Sequence, residues 1–92
     1  MDTYIVIIKG IVTQQAAIVG PLALELARKV DGLSFDNTIE DITITKEPID
    51  VLDDLIQTYA QFFGQASIEV CKDAVRELKP PIPPEKLPSI LQ

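Results

Sequence analysis

A chain of 92 residues, 47% hydrophobic and 24% charged, is sized for one small folded domain and is too apolar to stay disordered. Its net charge of −6 excludes the basic faces that bind nucleic acid or anionic membranes. With no histidine and a single cysteine, Cys71, it lacks the commonest general base, the commonest metal ligand and any internal disulfide, so the expected setting is a reducing cytoplasm.

The first predicted element covers residues 4–31. Ile8, Ile11, Val12, Gln15, Val19, Leu22, Leu26 and Val30 recur at steps of three and four, the period of one helix face. Arg28 and Lys29 suit a helix C-terminus, and Gly32 is a natural left-handed terminator. Pro21 cannot sit in an unbroken helix, because it lacks a backbone donor and clashes with the preceding turn. A kink or break at Gly20-Pro21 is therefore expected, with Pro21 near the first position of a new helix. The run Tyr4-Ile5-Val6-Ile7-Ile8 also permits a buried strand, since its residues are mostly β-branched. The stretch to Leu24 approaches the length of a membrane span. Lys9, Gln14 and Gln15 interrupt it and Asp2 precedes it, so no membrane or signal segment is expected.

Residues 33–47 read as a connection. Asp36-Asn37 is turn-like, and Ile42-Thr43-Ile44-Thr45 alternates as a short strand does. A lone strand leaves its backbone unpaired. Its expected partner is either the same strand of a second copy or residues 4–8.

A second long helix is predicted over residues 48–79. Pro48 fits its first turn, Glu47, Asp50, Asp53 and Asp54 load its start with negative charge, and Lys72, Arg76 and Lys79 load its end with positive charge. Val51, Leu52, Leu55, Ile56, Tyr59, Phe63, Ala66, Val70 and Ala74 form its apolar face. Sliding the sequence by 44 residues superposes Ile18-Val19-Gly20 on Phe62-Phe63-Gly64, and Leu24-Glu25-Leu26-Ala27-Arg28 on Ile68-Glu69-Val70-Cys71-Lys72. This is an internal pseudo-repeat of residues 4–31 and 48–75 within a single helical domain, residues 1–79. Residues 80–92 then form a proline-rich tail, with Ile82, Leu87, Ile90 and Leu91 as apolar points for docking on a partner or on the domain itself.

No catalytic, cofactor or metal site emerges. Gly20 and Gly64 lack the glycine-rich, lysine-bearing context of a phosphate loop, and the expected reason for them is close approach of another backbone, inside the fold or across a dimer. The acidic residues 47–54 suit a solvated helix start better than a divalent-cation site, and residues 36–41 lack the glycine of a calcium loop. Glu25/Arg28 and Glu69/Lys72 read as equivalent surface pairs, and Cys71 as a buried small hydrophobe. Tyr59, Phe62 and Phe63 form the aromatic cluster, with Phe62 and its counterpart Ile18 off the main stripe and available to a partner.

The expected architecture is mainly α: two long antiparallel helices, the first kinked or broken at Gly20-Pro21, with a short strand between them. Their apolar faces are too wide for one helix pair, which predicts a dimeric four-helix arrangement. The alternative is an α+β fold that pairs residues 4–8 with residues 42–45. The expected function is a small cytoplasmic, non-catalytic interaction or regulatory module acting as a homodimer, with Ile18, Gly20, Phe62, Gly64, Ile42 and Ile44 as the partner interface. The alternatives are a small-ligand or divalent-metal module, or a structural subunit of a larger enzyme complex.

Overall fold

The computed structural model describes residues 3–35 and 39–92. Four helices dominate it: α1 (Thr3–Val19), α2 (Leu22–Arg28), α3 (Pro48–Phe63) and α4 (Gln65–Arg76). A two-residue strand β1 (Leu33–Ser34) and its partner β2 (Thr43–Ile44) lie between α2 and α3, and two 3-10 turns, Pro84–Lys86 and Ser89–Leu91, shape the tail. The turn expected at Asp36-Asn37 lies outside the described residues.

Residues 4–8 are helical, which overturns the strand alternative. The physical reason is a comparison of magnitudes. Intrinsic helix propensity disfavours a β-branched residue by only about 0.5 kcal/mol, whereas full burial of an isoleucine contributes roughly 1.5–3 kcal/mol. As a helix, α1 buries Ile7, Ile8, Ile11, Val12 and Gln15 on one broad face, each at most 1% exposed. It is the central helix, packed against α2, α3 and α4.

The break expected at Gly20-Pro21 is present, and the single second helix expected over residues 48–79 is corrected to two, because it too breaks at Gly64. Gly20 and Gly64 have φ of +73° and +79°, and each ends a helix by donating its backbone N–H to the carbonyl four residues back, Ala16 and Ala60 respectively. Each break changes which residues face inward. Beyond Gly20 the buried positions are Ala23, Leu26 and Ala27, while Leu22 points out. Beyond Gly64 they are Ser67, Cys71, Ala74 and Val75, while Ala66 is exposed. One chain thus supplies four helices, whose packing buries most of the apolar faces and leaves Ile18, Leu22 and Phe62 exposed.

The strand expected at residues 42–45 is present as β2, and within the chain its partner is not residues 4–8. It pairs antiparallel with β1, Leu33 opposite Ile44 and Ser34 opposite Thr43. Gly32 makes this hairpin possible. At φ +88° a Cβ there would come within 2.9 Å of Val51 Cγ2 and 2.8 Å of Lys46 Cβ. The tail closes the core from the other side: Leu87 and Leu91 are buried, and the last 3-10 turn rests on α4.

Candidate functional site

The two helix breaks meet at one end of the molecule, held there by two buried hydrogen bonds. Gln15, one turn before the end of α1, donates its side-chain amide to the Ser67 carbonyl oxygen in the first turn of α4 at 3.0 Å, and to Cys71 Sγ at 3.5 Å. Tyr59, one turn before the end of α3, donates its hydroxyl to the Ala23 carbonyl oxygen at the start of α2 at 2.8 Å. Its ring stacks on Phe63 with centroids 6.4 Å apart, and Phe63 in turn meets Phe62 at 6.5 Å. All four helix ends adjoining Gly20 and Gly64 are thereby drawn together.

This end is uncharged and combines exposed apolar side chains with the exposed amides of Gln61 and Gln65. Among the described residues the exposed large hydrophobics are Ile18 at 64%, Phe62 at 58% and Leu22 at 40%, and all three flank the breaks. Ala17, Pro21 and Ala66 are exposed beside them, and Val19 and Phe63 are half-buried. No charged residue occurs in residues 10–24 or 55–68. The charge lies elsewhere. Asp2 and Lys9 cancel before the first break, and Glu69, Asp73, Glu77 and Glu85 cancel Lys72, Arg76, Lys79 and Lys86 after the second. The whole net −6 therefore belongs to residues 25–54, which run from α2 through the hairpin to the start of α3.

Of the six expected interface residues, the fold brings Ile18, Gly20, Phe62 and Gly64 to this end. Ile42 is a core residue at 8% exposure, and Ile44 is half-buried in the hairpin. Close approach of another backbone inside the fold is not the reason for the glycines: an added Cβ at Gly20 or Gly64 would meet nothing of the same chain within 4 Å. Their positive φ explains them instead. The equivalence of the two acid–base pairs is also corrected. Lys72 faces Glu69 at 3.6 Å, but Arg28 donates to the Phe35 carbonyl oxygen at 2.9 Å and lies 4.4 Å over the Phe35 ring.

Chemistry at the buried residues is muted. Burial lifts the Cys71 thiol from its ordinary 9.0 to about 11, and the Gln15 hydrogen bond offsets only part of that rise. Burial, and secondarily the nearby Cys71, also hold the Tyr59 hydroxyl above its usual range. Among the described residues no group of three His, Cys, Asp or Glu side chains is placed to hold a metal ion. No helix among them is long and apolar enough to cross a membrane. Of the expected docking points, Leu87 and Leu91 are buried in the core, and Ile82 and Ile90 pack partly against it.

Lysine, aspartate and glutamate gaps were the sequence signal for this end: two long uncharged stretches, each centred near a glycine in an otherwise charged chain. Comparison with protein-family models, curated proteins and solved structures finds no match.

Proposed function

We propose that this chain is a non-catalytic interaction module that pairs reversibly with a second copy of itself through the uncharged end around Gly20 and Gly64. The observation that carries the reading is the clustering of Ile18, Leu22 and Phe62 where charge is absent. Two copies that each carry −6 repel, except where they meet on a face that bears none of that charge. Residues 25–54 lead away from the breaks, so end-to-end contact keeps the acidic regions apart. A basic partner would seek the acidic region instead, and an anionic surface would gain nothing from either.

Magnitudes favour a weak dimer over an obligate one. The accessible surface is 5214 Å², close to the ~5,300 Å² that size scaling gives for an ordinary 10.1 kDa monomer. An end face of a molecule measuring 29 × 27 × 20 Å offers on the order of 500 Å², short of the roughly 800 Å² per partner of a standard stable interface. A non-catalytic role is supported by the lack of histidine and by a cysteine that is buried and protonated at neutral pH.

Sedimentation velocity from micromolar to millimolar concentration tests the reading. The apparent mass is expected to rise above 10.1 kDa with concentration, and more readily in high salt, because salt screens the acidic repulsion and leaves the apolar contact intact. Phe62→Glu combined with Ile18→Glu is expected to stay monomeric throughout. A wild-type chain that is monomeric at millimolar concentration in high salt would overturn the proposal.

A further inference from the structure

We propose that the cleft lined by the start of α1 and the chain that follows α4 binds a small molecule with a carboxylate head and an aliphatic body, a medium-chain carboxylic acid. The sequence beyond the second break is neutral, yet the fold sorts its charges in space. Lys72, Arg76, Lys79 and Lys86 each line one of two clefts that share Pro81 and Ile82. Glu69, Asp73, Glu77 and Glu85 line neither. An acidic chain thus turns only positive charge toward the clefts beside its tail.

The two clefts differ in whether that charge is already used. In one, Lys72 faces Glu69 at 3.6 Å and Arg76 is bonded to Asp73, so both cations have a carboxylate. In the other, of about 460 Å³, the cations are Lys79 and Lys86, and neither forms an ion pair among the described residues. The rest of this second cleft is aliphatic, from Val6 of α1 to Leu78, Ile82 and three prolines, with Thr3 as its neutral polar side chain. Its volume is that of a small-ligand site, and an apolar wall with a few polar groups is the usual composition of one.

The cleft is also built in advance. Leu78 and Ile82 pack against the core. The Lys86 N–H donates to the Pro83 carbonyl oxygen at 3.0 Å, and the Gln92 side chain donates to the Pro84 and Leu87 carbonyl oxygens. The proline rings hold their own φ. A ligand therefore has to order little beyond the two lysine side chains.

Charge selects the ligand class. A cation meets two ammonium groups, and a dianion meets the net −6 of the whole chain. A monocarboxylate accepts charge-assisted hydrogen bonds from Lys79 and Lys86 while its body covers the aliphatic wall. Exposed lysines contribute little each in water, so the body carries most of the affinity. For octanoate a Kd on the order of 1 mM is expected. Thr3 and Val6 open α1, whereas the uncharged end closes it at Val19. The site goes beyond self-pairing and does not depend on it.

The test is an NMR titration of the isotopically labelled full chain with octanoate, octanol and octyltrimethylammonium, each below its micelle-forming concentration. Octanoate is expected to give saturable shifts at the Thr3, Val6, Lys79, Ile82 and Lys86 amides, weakening as salt is added. Octanol is expected to bind there roughly three- to tenfold more weakly, and the cation not to saturate. Lys79→Gln with Lys86→Gln is expected to weaken octanoate by a similar factor, with octanol binding and the melting temperature unchanged. That selective loss is a readout that a merely structural role of the lysines would not give. Equal affinity for octanoate and octanol, octanoate binding that survives the double variant, shifts confined to Ile18 and Phe62 or to Lys72 and Arg76, or no saturable shift with octanoate would each overturn the proposal.

Discussion

Gln15 donates its side-chain amide to the Ser67 carbonyl oxygen at 3.0 Å, joining the end of α1 to the start of α4 from a position only 1% exposed. A buried amide is costly unless bonded, and here it fixes the register of two antiparallel helices at the break end. Gln15→Ala removes both the bond and the packing. The expected loss is about 2–3 kcal/mol, a sum of a lost hydrogen bond and a small cavity. Gln15→Leu keeps the volume and carries no polar group to leave unpaired, so about 1 kcal/mol is expected. Urea midpoints at constant slope measure both, and a leucine variant less stable than the alanine variant would remove packing from the explanation.

The three glycines with positive φ are expected to respond to alanine in a definite order. Gly20, at φ +73° with open space around it, carries strain alone, about 1–2 kcal/mol. Gly64, at φ 79° and ψ −167°, occupies a region that is essentially glycine-only, so roughly 2–3 kcal/mol is expected. Gly32→Ala adds a collision with Lys46 and Val51 to its strain and should lose most, about 3–5 kcal/mol. Thermal melts of the three variants give the ranking, and equal losses would mean that neighbouring atoms yield at Gly32.

The helical segments were legible in the sequence because apolar residues recur at steps of three and four, and α2 and α3 also carry proline and acidic markers at their starts. The break at Gly20-Pro21 was legible for the same reason, since proline forbids continuation. Gly64 carries no proline, and a stripe drawn straight through it assigns Ala66 and Val70 inward where Ser67 and Cys71 are buried. Periodicity is blind to a change of phase that costs the chain one residue in a positive-φ conformation. Leu33 as a strand was equally hidden. Two residues carry no alternation, and only the return of Thr43 and Ile44 across Gly32 defines them. Ile18 and Phe62 stood off the stripe in the sequence, which is why their exposure was foreseeable. That the two share an end required the fold.

Truncation of the tail is expected to unfold structure and not merely trim an end. Leu87 and Leu91 are each 7% exposed and pack with the main core, and the Gln92 side chain donates to the Pro84 and Leu87 carbonyl oxygens. Leu91→Ala should cost about 2–3 kcal/mol, the lower part of the range for a buried leucine, because its site lies at the rim. Removal of residues 87–92 should cost more and expose α4. Hydrogen exchange of the Cys71 and Val75 amides would report that exposure. Unchanged protection in the truncated chain would separate the tail from the core.

Cys71 makes stability depend on alkaline pH. Burial raises its thiol from 9.0 to about 11, against a smaller opposing effect of the Gln15 hydrogen bond. Between those values the unfolded chain has released a proton that the folded chain retains, so stability falls as pH rises through the window and is fully present below it. Two pH units correspond to roughly 3 kcal/mol at most. Tyr59 is also raised above its ordinary 10.0, first by burial and then by Cys71, so its contribution is lost in the same direction at higher pH. The melting temperature is expected to be flat to about pH 9 and then to decline. In Cys71→Ala the decline should start later, near the onset of tyrosine ionisation, and be shallower. The same burial makes the native thiol slow to react with a soluble disulfide reagent at pH 8 and fast after denaturation. A native thiol that labels at the denatured rate, or a melting profile identical in Cys71→Ala, would show that the sulfur is open to water and that Gln15 does not seal it beneath Ser67.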